Sequence, residues 1–317
     1  MKSLVVTNRN INRARATDET VFGEDVNRKG PGELRLAWAE RQPDDSWQVN
    51  LVPEPRRLAS ENLPSRNAFL QFRQQLIDEN KNAVFYIHGY NQAFVDTLEQ
   101  ADLIQKLYGV GVVMFSWPSN PGGFIPIEYH QARAIAASSA IAVDRTFEAM
   151  GRYFREVRDI PCESSFNLLA HSLGNYLFEH FIRSPIFAGE TRFFDNIVLN
   201  AADVDLLGHN EWINKLQYSI RVYVTINEKD RILAASDAIN IDRLGNTVRD
   251  LKSERAIYMD FTPGQDVGKK HQHFGTTALA NENVKTFFEA AFAGRPAQDA
   301  PGEAVRFNEQ NNTYEIL

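Results

Sequence analysis

Two hydrophobic periods alternate along most of this chain. From about residue 67, short apolar runs of strand length are each followed by stretches with apolar residues at helical spacing. The strand-like runs are 83–87, 112–117, 166–170, 194–200, 220–226 and 256–261. Residues 68–77, 94–108, 132–157, 173–182, 210–217, 232–239 and 282–292 read as helices, with Gly109 and Gly111 closing the second. Strands that are apolar at every position and separated by helices predict an α/β fold. Its central sheet is mostly parallel, with helices on both faces.

The two flanks read differently. Apolar runs at 3–7, 34–39 and 47–52, with the turn cluster Gln42-Pro43-Asp44-Asp45-Ser46, predict a β-rich extension over residues 1–60. It is expected to belong to the same domain and to add strands to one edge of the sheet. Residues 61–295 form the catalytic-sized body, and 296–317 read as a linker followed by a β-hairpin at 304–307 and 313–316.

Composition narrows the partners. The 317 residues carry a net charge of −7, which disfavours nucleic acid or an anionic membrane surface as the main partner. Cys162 is the single cysteine, so no internal disulfide forms, as suits a reducing compartment. The N-terminal apolar run is too short for a secretory core, and no stretch is long enough for a membrane span. A cytoplasmic protein is the expectation.

Chemistry in a parallel sheet sits at the C-terminal strand ends. At the first such end, Ala170-His171-Ser172-Leu173-Gly174 places a serine between a strand and a helix, with small residues on both sides. That turn pushes the Ser172 hydroxyl outward beside the first N–H groups of the helix, Leu173 among them. An ordinary helix-capping serine gives the same local pattern. After the run 83–87 comes His88-Gly89-Tyr90-Asn91. Gly89 permits a turn that aims the Tyr90 N–H into a cavity, and two such donors form an oxyanion hole. A plain β-turn capped by Asn91 is the structural alternative. Asp230 follows the run 220–226 and is suited to orienting a histidine, with Glu228, Asp203 and Asp205 as rivals. His271 and His273, in the loop before the last helix, are the candidate bases. Their H-x-H spacing also admits a metal with Asp260 or Asp266, but no further histidine or cysteine completes such a site.

The order Ser172, Asp230, then histidine is that of an α/β-hydrolase triad. With Phe115-Ser116-Trp117-Pro118-Ser119 and Ala201-Ala202-Asp203-Val204-Asp205, these motifs resemble the bacterial domain-of-unknown-function 900 (DUF900) family of α/β-hydrolases, over roughly residues 80–295. The resemblance implies an α/β-hydrolase fold and an esterase-like triad. The family pattern His-x-Tyr-Phe before the last helix makes His271 the base and puts His273, the alternative base, at the tyrosine position. Gly89, Asn91, Trp117, Phe124 and His171 are candidate substrate-pocket residues, and Trp117 suits core packing equally.

The expected activity is hydrolysis of a small-molecule carboxylic ester through Ser172, Asp230 and His271, with Tyr90 and Leu173 as oxyanion donors and no cofactor. The alternatives are the same triad acting on thioesters, lactones, lipids or amides, and a non-catalytic binding module on the same fold. The β extensions are expected to shape the pocket or a contact between copies in a homo-oligomer.

Overall fold

The computed structural model describes residues 1–53, 63–123, 125–157, 162–237 and 242–317, with the side chains at 125 and 126 left aside. It divides into two compact units, Met1–Ser164 and Ser165–Leu317.

The first unit runs β1 (Ser3–Thr7), β2 (Arg9–Ile11), β3 (Phe22–Val26), β4 (Arg35–Arg41), β5 (Trp47–Val52), α1 (Pro64–Glu79), β6 (Ala83–Ile87), α2 (Phe94–Tyr108), β7 (Gly111–Ser116) and α3 (Ile125–Glu156). Its sheet has the order β6-β7-β1-β4-β5. β6, β7 and β1 are parallel, whereas β4 and β5 are antiparallel additions. Every residue of β1, β6 and β7 is buried, which explains their unbroken apolar runs. β5 starts with an alternation, Trp47 and Val49 buried and Gln48 exposed, as suits a strand with one wet face. The N-terminal segment therefore extends the sheet beyond β7, through an interior strand.

Two features depart from the sequence reading. β2 and β3 form a separate two-stranded sheet, too short and too polar to show a period. α3 begins at Ile125 rather than 132, because Pro126 sits at a helix start, where its missing N–H costs nothing.

The second unit runs β8 (Phe166–His171), α4 (Gly174–Arg183), β9 (Asn196–Asn200), α5 (His209–Ile213), β10 (Arg221–Ile226), α6 (Arg231–Asp237), β11 (Ala256–Asp260), α7 (Glu282–Phe292), β12 (Val305–Asn308) and β13 (Thr313–Ile316). Strand order is β8-β9-β10-β11-β13-β12. The first five are parallel, and β12 returns antiparallel to β13. The helix expected over 210–217 shortens to α5. Buried Trp212, Ile213 and Leu216 carry the helical spacing, but i→i−3 bonds tighten the last turn. The expected helix over 232–239 is seen as α6, and 238 and 239 lie outside the described residues.

α7 supplies much of this unit's core. Its Asn281 cap accepts the Val284 N–H at 2.9 Å, and Phe287 packs edge-on against Tyr223 and Phe261 at 5.3 and 5.5 Å. The segment after it is tied down as well, for the Tyr223 hydroxyl accepts the Ala297 N–H at 2.8 Å. Among the described residues, no helix is long and apolar enough to cross a membrane.

Candidate active site

β8 delivers the chain, buried at every position, to Ser172. Ser172 has φ +54°, in the left-handed region, and Leu173 returns to φ −61° to start α4. A non-glycine residue held there costs of order 1–3 kcal/mol, so the surroundings must impose it. They do so by hydrogen bonds. The Ser172 N–H donates to Asn200 O at 3.0 Å, and Ser172 O accepts from the N–H groups of Asn175 (3.0 Å) and Asp203 (3.3 Å). The Asn175 side-chain amide donates to the carbonyls of Ala170, Ser172 and Asn200, each at 3.1 Å. Asn175 thus braces both limbs of the turn.

Behind the turn, Gly245 presses on the backbone of 201 and 202. A Cβ there would lie 2.3 Å from Ala202 N, so only glycine fits.

The Asp230 carboxylate is fully buried at the end of β10 and uses its two oxygens differently. Oδ1 accepts the N–H groups of Ile232 (2.8 Å) and Leu233 (3.2 Å), capping α6. Oδ2 accepts from His271 Nδ1 at 2.6 Å. The helix-cap reading and the histidine-orienting reading are therefore both true of one side chain. With Nδ1 protonated toward Asp230, the neutral His271 ring keeps its lone pair on Nε2, the arrangement a general base needs. The His271 side chain stays 16% exposed, and its ring centre lies 4.9 Å from that of His171, the residue before Ser172. Asn227 holds this loop by donating to Gly268 O and Lys270 O at 3.1 and 3.0 Å.

His273 turns away from Asp230. It is fully buried, with Nδ1 2.8 Å from Thr225 Oγ1. Thr225 Oγ1 already accepts from Asn200 Nδ2 (2.7 Å) and the Ala201 N–H (3.2 Å). Both its lone pairs are taken, so its O–H must donate to His273 Nδ1, and the proton of His273 sits on Nε2. Burial pushes His273 down to about 3. His171 Nδ1 donates to Asn200 Oδ1 at 3.0 Å, and burial, then the neighbouring His271, holds it well below its ordinary value. One hydrogen-bonded chain, His171–Asn200–Thr225–His273, thus crosses the ends of β8, β9 and β10.

The rival acids are engaged elsewhere. Asp203 accepts from Ser236 Oγ at 2.8 Å, and both Asp203 and Asp205 flank the buried Arg243. Glu228 accepts the Val248 N–H at 3.3 Å. His271 and His273 face different partners, and among the described residues no His/Cys/Asp/Glu group is arranged for a metal.

In the first unit, the turn after β6 is held closely. His88 Nε2 accepts the Trp117 N–H at 3.0 Å, so the neutral ring carries its proton on Nδ1 and donates it to Gly89 O at 2.9 Å. Because a trans peptide is planar, fixing Gly89 O fixes the Tyr90 N–H in the opposite direction. Burial, then the Arg9 charge, pushes His88 down to about 3. Trp117 stacks on the His88 ring at 5.5 Å, donates Nε1–H to His88 O at 2.9 Å, and is fully buried. With no exposed surface it packs the core, which corrects its reading as a pocket wall. The left-handed residue of this turn is the exposed Asn91 (φ +55°), not the buried Gly89. Asn91 is not the cap of α2 either, since that position is Ala93. The Tyr90 phenol, partly buried and hydrogen-bonded to Glu128, is pushed up to about 12. Phe124 lies outside the described residues.

Parallel strands joined by helices, with a serine on a strained strand-to-helix turn, make this an α/β hydrolase. Residues 66–262 match the family described as alpha/beta hydrolase of unknown function (DUF900), and the chain belongs to that family. The matched segment contains Ser172 and Asp230 and ends before His271. No curated protein matches the sequence. Among solved structures, the chain is similar to a novel cold-adapted esterase from an Arctic intertidal metagenomic library, in a PEG-bound complex. Identity is 13%, coverage is 83% of this chain and 90% of that one, and the TM-score is 0.38. A likeness that distant carries no argument about activity.

Proposed function

We propose that this hydrolase cleaves carboxylic esters with Ser172 as nucleophile, His271 as general base and acid, and Asp230 as the orienting carboxylate. The observation that carries the reading is the 2.6 Å contact between His271 Nδ1 and Asp230 Oδ2, which leaves Nε2 as the basic nitrogen. In this mechanism Ser172 Oγ attacks the acyl carbon while its proton passes to His271 Nε2. Asp230 stabilises the resulting imidazolium. The tetrahedral intermediate collapses, the alcohol leaves with the proton from Nε2, and an acyl-enzyme remains. Water, deprotonated by the same nitrogen, then releases the acid and restores Ser172.

The oxyanion needs donors beside Ser172. Leu173 N–H, at the start of α4, is the first. The Tyr90 N–H is kept as the second on the motif His88-Gly89-Tyr90-Asn91, with its direction set by His88.

The test is hydrolysis of short-chain p-nitrophenyl esters together with mass-spectrometric mapping of a fluorophosphonate adduct. Turnover and a single adduct on Ser172 are expected. A folded protein that neither turns over ester nor takes the label overturns the proposal. Extending the panel to thioesters, lactones, lipids and amides ranks the substrate classes.

A further inference from the structure

The first 53 residues lie outside the segment that matches the family, yet two of them grip the turn that carries Tyr90. Arg9, in β2, is fully buried. Its Nε donates to Ser116 Oγ at 2.8 Å and one Nη2 hydrogen to Gln92 O at 2.8 Å, while Nη1 serves Gly23 O and the Glu24 carboxylate. A guanidinium has five N–H groups, and most of them are engaged. Burying a cation is unfavourable unless it is paired and hydrogen-bonded throughout. A hydrophobic residue would fill the same volume more cheaply, so packing alone does not account for an arginine here.

Glu24, in β3, is the second grip. Its Oε2 pairs with Arg9, and its Oε1 accepts the Phe94 N–H at 3.0 Å. Phe94 opens α2, whose N-cap is an alanine without a capping oxygen. The helix's own Asp96 accepts the Ala93 N–H at 2.9 Å, and the hairpin adds a second anion at the Phe94 N–H. Between these two points, Asn91 N–H donates to Ser119 O at 3.0 Å and Gln92 N–H to Ser119 Oγ at 3.0 Å. The turn is thus fixed at its start by His88 and at its end by Arg9 and Glu24.

We propose that Arg9 and Glu24 are positioning residues for ester hydrolysis, holding the 88–94 turn so that the Tyr90 N–H stays aimed as an oxyanion donor. This rests on the esterase reading given above. Neither residue touches substrate. Each acts through the backbone of the turn.

Arg9→Met keeps the volume and removes the donors. At temperatures well below its melting point, kcat is expected to fall roughly 10- to 100-fold with KM within about threefold, short of the loss from deleting a donor outright. Inhibition by an arylboronic acid, which mimics the tetrahedral intermediate, should weaken by the same factor. Amide exchange at Asn91 and Gln92 should accelerate at least tenfold. Glu24→Gln keeps the acceptor for Phe94 but loses the ion pair, and a several-fold fall in kcat is expected. A folded Arg9→Met with unchanged kcat, boronate inhibition and exchange overturns the proposal, since a merely structural arginine lowers the melting temperature alone. If Arg9→Met does not fold, Glu24→Gln with parental kcat and exchange overturns it. A parent protein inert to ester and fluorophosphonate instead overturns the esterase reading, and the exchange measurement still decides whether the hairpin fixes the turn.

Discussion

Two strand-to-helix turns in this molecule have nearly the same backbone twist and opposite designs. After β6 the left-handed residue is Asn91, at φ +55°, and after β8 it is Ser172, at φ +54°. Asparagine visits that region at little cost, whereas serine does so far less readily. In the first turn the left-handed side chain is exposed, and the polar atoms around it lock the backbone. In the second, the left-handed residue itself is the proposed nucleophile, and Asn175, Asn200 and Asp203 hold it in place. If Ser172 is the nucleophile, strain sits at the side chain that reacts, and the turn that supplies only backbone groups is relaxed.

The largest expected effect is at Ser172. Ser172→Ala and Ser172→Gly should each lower kcat by roughly 10⁴- to 10⁶-fold, the usual loss when a nucleophile is removed. Their stabilities should differ in the unusual direction. Glycine accepts positive φ freely and alanine does not, so Ser172→Gly should unfold at higher urea than Ser172→Ala by about 1 kcal/mol. At Asn91 the same two substitutions should lower kcat far less than at Ser172, because that side chain is exposed and bears no reacting atom, with Asn91→Gly milder than Asn91→Ala at its positive φ. Urea melts with Ser172→Ala the more stable of its pair would show that the turn is not strained.

The next test separates the two histidines of the 271–273 loop. His271→Ala should lose activity by roughly 10⁴-fold and little stability, because that ring is partly exposed and its partner Asp230 keeps the helix cap. His273→Ala should do the reverse, losing about 2–4 kcal/mol as a buried ring and its bond to Thr225 vanish, while keeping measurable turnover. An inactive, stable His273→Ala beside an active His271→Ala would move the base to His273.

How much of this was legible beforehand depends on how local the cause is. β6, α2 and α7 begin and end where the apolar periods do, because caps and glycines stand in the same segment, as Gly109 does at φ +63°. β2 and β3 were not legible, since three to five half-polar residues show no period. The strand-end motifs pointed to Ser172, Asp230 and the histidine pair. Position alone could not separate His271 from His273, two residues apart, and only the family pattern favoured His271, because the choice depends on which neighbour each ring meets. The supporting asparagines and Arg9 were invisible for a similar reason. Arg9 bonds a carbonyl 83 residues away, and carbonyls leave no mark in a side-chain sequence.

The comparison extends to protonation, where the expected effect is smaller. His88 carries its proton on Nδ1 and His273 on Nε2, but both are buried and neutral for the same reason, and both are pushed down to about 3. In the unfolded chain an ordinary histidine titrates near 6.5. Between these values the unfolded state binds protons that the folded state refuses, so stability falls as pH drops from about 6.5 toward 3. At pH 5 each histidine should cost about 2 kcal/mol relative to neutral pH. Urea unfolding at pH 7 and pH 5 measures the loss. His88→Gln and His273→Gln cannot titrate, so each should be less stable at pH 7 yet lose less between the two pH values. A loss undiminished in both variants would mean that these rings take up protons in the folded state. The hydrogen bonds from Trp117 N–H and Thr225 O–H, each of which needs an unprotonated nitrogen to accept it, would then not hold.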